Sequence, residues 1–180
     1  MGELAETDKD SPAEVEGLAR QISQTARDTT RSLDEIVWAA NPSNDTLEGL
    51  MNYLCKYAQE FLGVAGLRHR LDIPARLPVI AVPPEVRHNV FLACKEALTN
   101  IVRHAKAREV RIRLQLDPTY FTLDIADNGG GPAGMAEKAP SRNGVRNMRK
   151  RMEDIRGGFS IGPAPDGGTL VRLTGPVSKH

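Results

Sequence analysis

Three short segments of this chain carry residue types that could do chemistry together. In the first, Glu96, Asn100 and His104 are spaced four apart, with Arg103 beside them. At the period of a helix they form one polar line. The opposite stripe is apolar: Val86, Val90, Cys94, Ala97, Leu98, Ile101 and Ala105. A carboxylate, an amide oxygen and two potential cations on one face suit a metal–phosphate ligand. The Asn100 amide oxygen is a hard donor of the kind Mg2+ accepts, and that ion takes few protein ligands. Alone, the same line also describes an ordinary solvated helix face.

The second segment is Asp127-Asn128-Gly129-Gly130-Gly131, at the end of an alternating apolar run. Glycines permit close backbone approach, and an ionised Asp is purely an acceptor. Asp127 could therefore accept a hydrogen bond from the exocyclic amine of adenine. Guanine carries an oxygen at that position, so such an Asp would select ATP over GTP. An Asx turn after a strand is the plainer reading. The third segment, Asn143-Gly144-Val145, reads as a helix start, where free N–H groups and the helix dipole favour phosphate. An ordinary helix start explains it equally well. The chain has no Walker phosphate loop, no strand-to-helix GxGxxG and no protein-kinase Gly-rich loop with its catalytic Asp.

These segments need elements to hold them. Val15, Ala19, Ile22, Ala26, Thr29, Leu33, Ile36 and Ala40 keep a 4-3-4-3 spacing, a heptad seam that predicts a bundle or dimer helix. A long helix packed on its own domain is the competing reading. Asn41-Pro42 stops it. Asp45 with Glu48 reads as a capping box for a second helix, ending at Gly66. Arg68 to Ile73 alternates as a short strand, and the proline-bearing stretch from Pro74 to Pro84 is a loop. The Glu85–Ala107 helix carries the polar line. Val110 to Leu116 and Phe121 to Ile125 read as an antiparallel pair turning at Asp117-Pro118-Thr119. After Pro132 to Asn143 come a helix from Gly144 to Gly157 and a closing hairpin, Phe159 to Ile161 with Thr169 to Thr174. The expected fold is α+β: a two-layer sandwich of a mixed, mostly antiparallel sheet covered by helices on one face, with an N-terminal bundle or coiled-coil helix. The expected domains are a linker over 1–12, a partial dimerisation helix over 13–41 and a catalytic domain over 42–180.

The chain has 180 residues, 40% hydrophobic and 26% charged, so it can build a core without a disulfide or metal staple. Its net charge of +1 gives no global pull toward nucleic acid or anionic lipid. The two cysteines, Cys55 and Cys94, read as buried free thiols in a reducing compartment. No apolar run approaches the roughly 20 residues that span a bilayer, and no signal peptide opens the chain, so the expected location is cytoplasmic.

In order and spacing, the three segments resemble the ATP-binding catalytic module of bacterial sensor histidine kinases, within the gyrase/chaperone/histidine-kinase ATPase superfamily. KEALTNIVRHAKA (Lys95 to Ala107) is similar to that family's N box, and DNGGG to its G1 box. NGVRNMRKRMEDIRGG (Asn143 to Gly158) resembles the G2 box of the subgroup that pairs with NarL-type response regulators. Gly168-Thr169 resembles the closing Gly-Thr element. The seam helix resembles the second helix of the dimerisation and phosphotransfer bundle.

The resemblance implies Mg·ATP as cofactor, with Asn100 as the Mg2+ ligand and Glu96 as the catalytic residue that orients the attacking group or a metal-bound water. Arg103 and His104 would contact phosphate or ribose. Asp127 would read the adenine amine, with Thr169 nearby, while Gly129 and Gly131 let the backbone close on the base. Asn143, Gly144 and Val145 would start the helix that receives phosphate, and residues 132–143 would be the ATP lid. The implied partners are a NarL-type response regulator, a helix bearing the phospho-acceptor histidine, and a second copy in a homodimer. Direct nucleic-acid binding is not implied, and membrane contact only through N-terminal regions outside this sequence. A same-fold Ser/Thr kinase of the anti-sigma type and a non-catalytic interaction module are the alternatives. Pro132 and Arg142 depart from the family pattern, in which Phe and a first G2 glycine are usual. None of His69, His88, His104 and His180 lies in a helical acceptor context upstream of residue 41. The chain therefore reads as part of a longer kinase or, less favoured, as a partner-dependent one.

Overall fold

The computed structural model describes residues 12–41, 45–131 and 141–177. Residues 1–11, Pro42, the lid stretch 132–140 and His180 lie outside the described residues, so the expectations placed on them have no structural counterpart here. The chain divides into two compact units, Met1–Trp38 and Ala39–His180. The described residues of the first belong to helix α1, Pro12–Ala40, whose last two residues fall in the second. Its seam residues Val15, Ile22, Leu33 and Ile36 are all more than half exposed. No described helix is long and apolar enough to cross a membrane.

The second unit begins with a lead-in that the sequence misassigns. Helix α2 spans Leu47–Val64, and its N-cap is Thr46, not Asp45. The Thr46 hydroxyl accepts the Gly49 N–H at 3.0 Å. Asp45 is instead paired with Arg87, a fully buried guanidinium that also donates to the Val82 carbonyl at 2.9 Å. A buried Arg must find acceptors or carry a heavy desolvation cost. This one recruits a carboxylate from 42 residues away, which leaves the capping to its neighbour. The proline-bearing loop is also tied down, because Leu47 N–H donates to Ile80 O and Val82 N–H to Asp45 O.

Strand β1 is Arg68–Asp72 and helix α3 is Pro84–Asn100, opening with Pro at its first position, where the missing N–H costs nothing. The expected helix to Ala107 changes winding. Ile101–Ala105 forms a π-helical turn, a feature common at functional sites, and Lys106 ends it in the left-handed region at φ 52°. Strands β2, Glu109–Leu116, and β3, Tyr120–Asp127, form the expected hairpin. At its turn Asp117 Oδ1 accepts the Thr119 N–H, the Thr119 hydroxyl and the Tyr120 N–H. Those donors hold the Asp117 carboxyl below its ordinary range, the Thr119 N–H foremost. Helix α4, Ser141–Asp154, begins three residues before the expected Gly144, and strands β4, Gly158–Pro163, and β5, Thr169–Pro176, complete the sheet.

The strand order is β1-β2-β3-β5-β4, with β1 and β2 parallel and the other pairs antiparallel. Alternation then sorts the two faces. Val110, Ile112 and Leu114 of β2, Phe121, Leu123 and Ile125 of β3, and Val171 and Leu173 of β5 are buried. They share one core with Leu50, Leu54 and Leu62 of α2, Val90, Cys94 and Leu98 of α3, and Met148 and Met152 of α4. Each buried side chain of this size contributes about 1.5–3 kcal/mol relative to exposure. This is the mixed two-layer α+β sandwich the patterning predicts. Both cysteines are free; Cys94 is buried as expected, but Cys55 is only half-buried. Burial, with Cys55 nearby, pushes the Cys94 thiol up to about 12, so it remains protonated.

Candidate functional site

The inward alternation of β3 delivers Asp127 as the next position after Phe121, Leu123 and Ile125. A carboxylate thus arrives where an apolar side chain would otherwise sit, only 3% exposed. Its Oδ1 accepts the Gly129 N–H at 2.7 Å. Its Oδ2 is buried with no hydrogen-bond partner among the described residues, and so is the hydroxyl of Thr169, which is 1% exposed. Burial pushes the Asp127 carboxyl above its usual range. The Gly129 N–H opposes that rise, as do the nearby N–H and hydroxyl of Thr169, although neither Thr169 group completes a hydrogen bond to Oδ2. Leaving two buried polar atoms unengaged costs about 1–3 kcal/mol each. Buried polar groups left in this way call for a partner or a reason, an ordered water, an ion or a ligand among them.

Glycine makes the surrounding approach possible. A Cβ on Gly129 would overlap the Ala105 carbonyl, and one on Gly168 would overlap the Asp127 backbone carbonyl. Gly168 also sits at φ +83°, which L side chains rarely adopt. Gly131 lies against the Gly168 carbonyl, where a Cβ would stand 3.5 Å away. The G1-like turn is therefore closed between the end of the π-helical turn and the Gly168-Thr169 corner. Ala105 contributes through its backbone, accepting the Gly130 N–H at 2.9 Å. No residue-type signal marks it in the sequence.

The other half of the site sits one turn back along the same helix. Asn100 is 5% exposed and Glu96 is half-buried. A Cβ on Gly144 would overlap the Glu96 carboxylate and come within 3.4 Å of the Asn100 amide nitrogen. Glu96, Asn100 and the first turn of α4 are thus brought together. That turn also holds Asn143, exposed, and Val145, half-buried. The predicted polar line runs through a change of winding. Regular α-helix ends at Asn100, so His104 lies beyond the change of winding. Arg103 is exposed and His104 half-buried, and neither is hydrogen-bonded to Asn100 or Asp127. The residues fit a purine nucleotide with a divalent ion. An unengaged acceptor and hydroxyl face a glycine-walled corner, and hard oxygen donors stand beside a helix N-terminus.

Residues 64–162 match the family model described as the histidine kinase-like ATPase domain. The sensor protein VraS of Staphylococcus saprophyticus is 35% identical over 99 residues, covering 55% of this chain and 28% of that protein. The chain thus spans little more than a quarter of the curated relatives it matches. Among solved structures, the Acinetobacter baumannii histidine kinase AdeS superposes with a TM-score of 0.61 at 14% identity, over 95% of this chain and 87% of that one. The ATP-binding domain of PrrB from Mycobacterium tuberculosis gives 0.57 at 22% identity, over 74% and 96%. These two likenesses speak for the fold, whereas the family match covers more than half of the sequence. On that match, which takes in Glu96, Asn100, Asp127 and Gly144, the chain belongs to the histidine kinase-like ATPase domain family.

Proposed function

We propose that this chain binds Mg·ATP at the Asp127–Asn100 site and serves as the catalytic domain of a two-component sensor histidine kinase. Bound ATP would supply the phosphoryl group and Mg2+ would neutralise its charge, in a reaction that is mostly positioning. Asp127 Oδ2 would accept the adenine amine, with the Thr169 hydroxyl as a second contact. Gly129, Gly131 and Gly168 would let the backbone close on the base. Asn100 would be the protein ligand to Mg2+, and Glu96 would orient the attacking group. Arg103, His104 and the first turn of α4, with Asn143, Gly144 and Val145, would meet phosphate. The acceptor would be a histidine on a segment outside this sequence, and the phosphate would pass to a response regulator of NarL type. Helix α1 and the residues to 41 would belong to the dimerisation and phosphotransfer bundle, and residues 42–180 would form the catalytic domain.

The observation that carries this reading is the buried, unengaged pair of Asp127 Oδ2 and Thr169 Oγ1. Calorimetric titration of the full chain with ATP, with and without Mg2+ and with GTP as control, tests it. Mg2+-strengthened binding of ATP and none of GTP is the expected result; equal affinity for the two purines refutes it. Incubation with a histidine-bearing bundle fragment should then yield an acid-labile phosphate, whereas an acid-stable one would point to the Ser/Thr kinase alternative.

A further inference from the structure

Asn128 directly follows the proposed purine acceptor, and its side chain does not make the local turn its position suggests. In an Asx turn the side chain would accept the N–H two residues on. That N–H, on Gly130, donates to the Ala105 carbonyl instead. Asn128 Oδ1 accepts the backbone N–H groups of Arg108 at 2.9 Å and Glu109 at 3.0 Å, 20 and 19 residues back in the chain. Its own N–H returns to the Glu109 carbonyl at 3.3 Å. The glycine turn is therefore fastened at two points to the segment that joins α3 to β2. Gly130 grips the last residue of the π-helical turn, and Asn128 grips the start of β2 beyond it. The left-handed Lys106 lies between these two anchors. That π-helical turn is continuous with the helix carrying Glu96 and Asn100.

We infer that Asn128 is a positioning residue, setting the spacing between the Asp127 corner and the Asn100 side so that one nucleotide is held at both ends at once. The inference rests on the nucleotide reading above. Two-point binding gains strength only when the second contact falls within reach of the first. Loosening the clamp should therefore weaken the cooperation of base and metal ends, leaving the individual contacts present. A residue that merely supports the fold would change the unfolding midpoint and leave that cooperation alone.

The test compares wild type, Asn128→Ala and Asn128→Asp by calorimetry with ATP, with and without Mg2+, alongside nucleotide-free unfolding. The readout is the ratio of the two ATP affinities. Asn128→Ala should lower Mg·ATP affinity about tenfold and reduce the ratio several-fold. Asn128→Asp keeps an acceptor for both N–H groups and should hold the ratio within about threefold of wild type. A ratio unchanged in Asn128→Ala, or lost equally in Asn128→Asp, overturns the inference while the nucleotide reading stands. Absence of Mg2+-strengthened binding in the wild type overturns both. If Asn128→Ala does not fold, Asn128→Asp decides alone, and a tenfold loss of the ratio there overturns the inference.

Discussion

Asp124 and Asp127 stand three residues apart on one strand and meet opposite fates. Asp124 points to the open face of the sheet, where Arg172 of the neighbouring strand donates to both of its oxygens, at 2.7 and 2.8 Å. Asp72 on the same face accepts hydrogen bonds from Arg70 and Arg113, with Arg111 also in ion-pair range. Arg70 above all holds its carboxyl below the usual range. Asp127 turns inward, loses most of its water, and receives one N–H where its two oxygens could accept several. The open face satisfies its charges within the fold, while the covered end of the sheet leaves one acceptor and one hydroxyl unmet. A structure selected only for stability would pair both carboxylates, or replace the inner one with an apolar side chain. On the proposed function, that unmet Asp127 oxygen is the one the adenine amine would take.

Exchanging the inner acid breaks the contrast most sharply. Asp127→Asn presents an amide donor to an adenine donor, and ATP affinity should fall at least about a hundredfold, about 2.7 kcal/mol. Calorimetry checks this, and an unaltered affinity would end the purine assignment. A methyl group on the glycine wall comes next. Gly129→Ala forces a Cβ into the Ala105 carbonyl, and overpacking of this kind costs about 1–3 kcal/mol in denaturant unfolding.

The pH dependence of the nucleotide-free protein sharpens the comparison further. Asp127 titrates above its unfolded value, so both states bind the proton equally at low pH and the penalty grows as pH rises through the raised value. Asp72 and Asp117 act in the opposite sense, their stabilisation being lost as pH falls through their lowered values. Urea midpoints should therefore show Asp127→Asn more stable than wild type near neutrality, with the curves converging below about pH 4. Divergence toward low pH would show that the carboxylate is stabilised after all. The smallest effect belongs to the open face. A double-mutant cycle on Asp124 and Arg172 should give about 0.2–1 kcal/mol, weakened by salt and without effect on nucleotide binding.

Much of this architecture is legible without coordinates. Alternation in β2 and β3, the turn at Asp117 and the apolar stripe of α3 each follow from short-range rules, and the structure bears them out. Asp127 and Asn100 are recognisable as types in a spacing. The clearest failure involves a distant partner. Asp45 looks like a cap until Arg87 claims it from 42 residues away, whereas the Asx turn read as the plainer account of the Asp127 segment is present, closed by the Gly129 N–H donating to Asp127 Oδ1.

What the amino-acid order determined here is periodicity and local chemistry: which residues face inward, where chains turn, and which donors and acceptors are on offer. Only the tertiary structure decided which of those groups remain unengaged. Whether a buried oxygen is satisfied depends on atoms brought within about 3 Å from far along the chain, such as the Ala105 carbonyl at the glycine turn, or Gly144 against Glu96 and Asn100. Hydrogen bonds and steric overlap act over those few ångströms, and no sequence spacing encodes them.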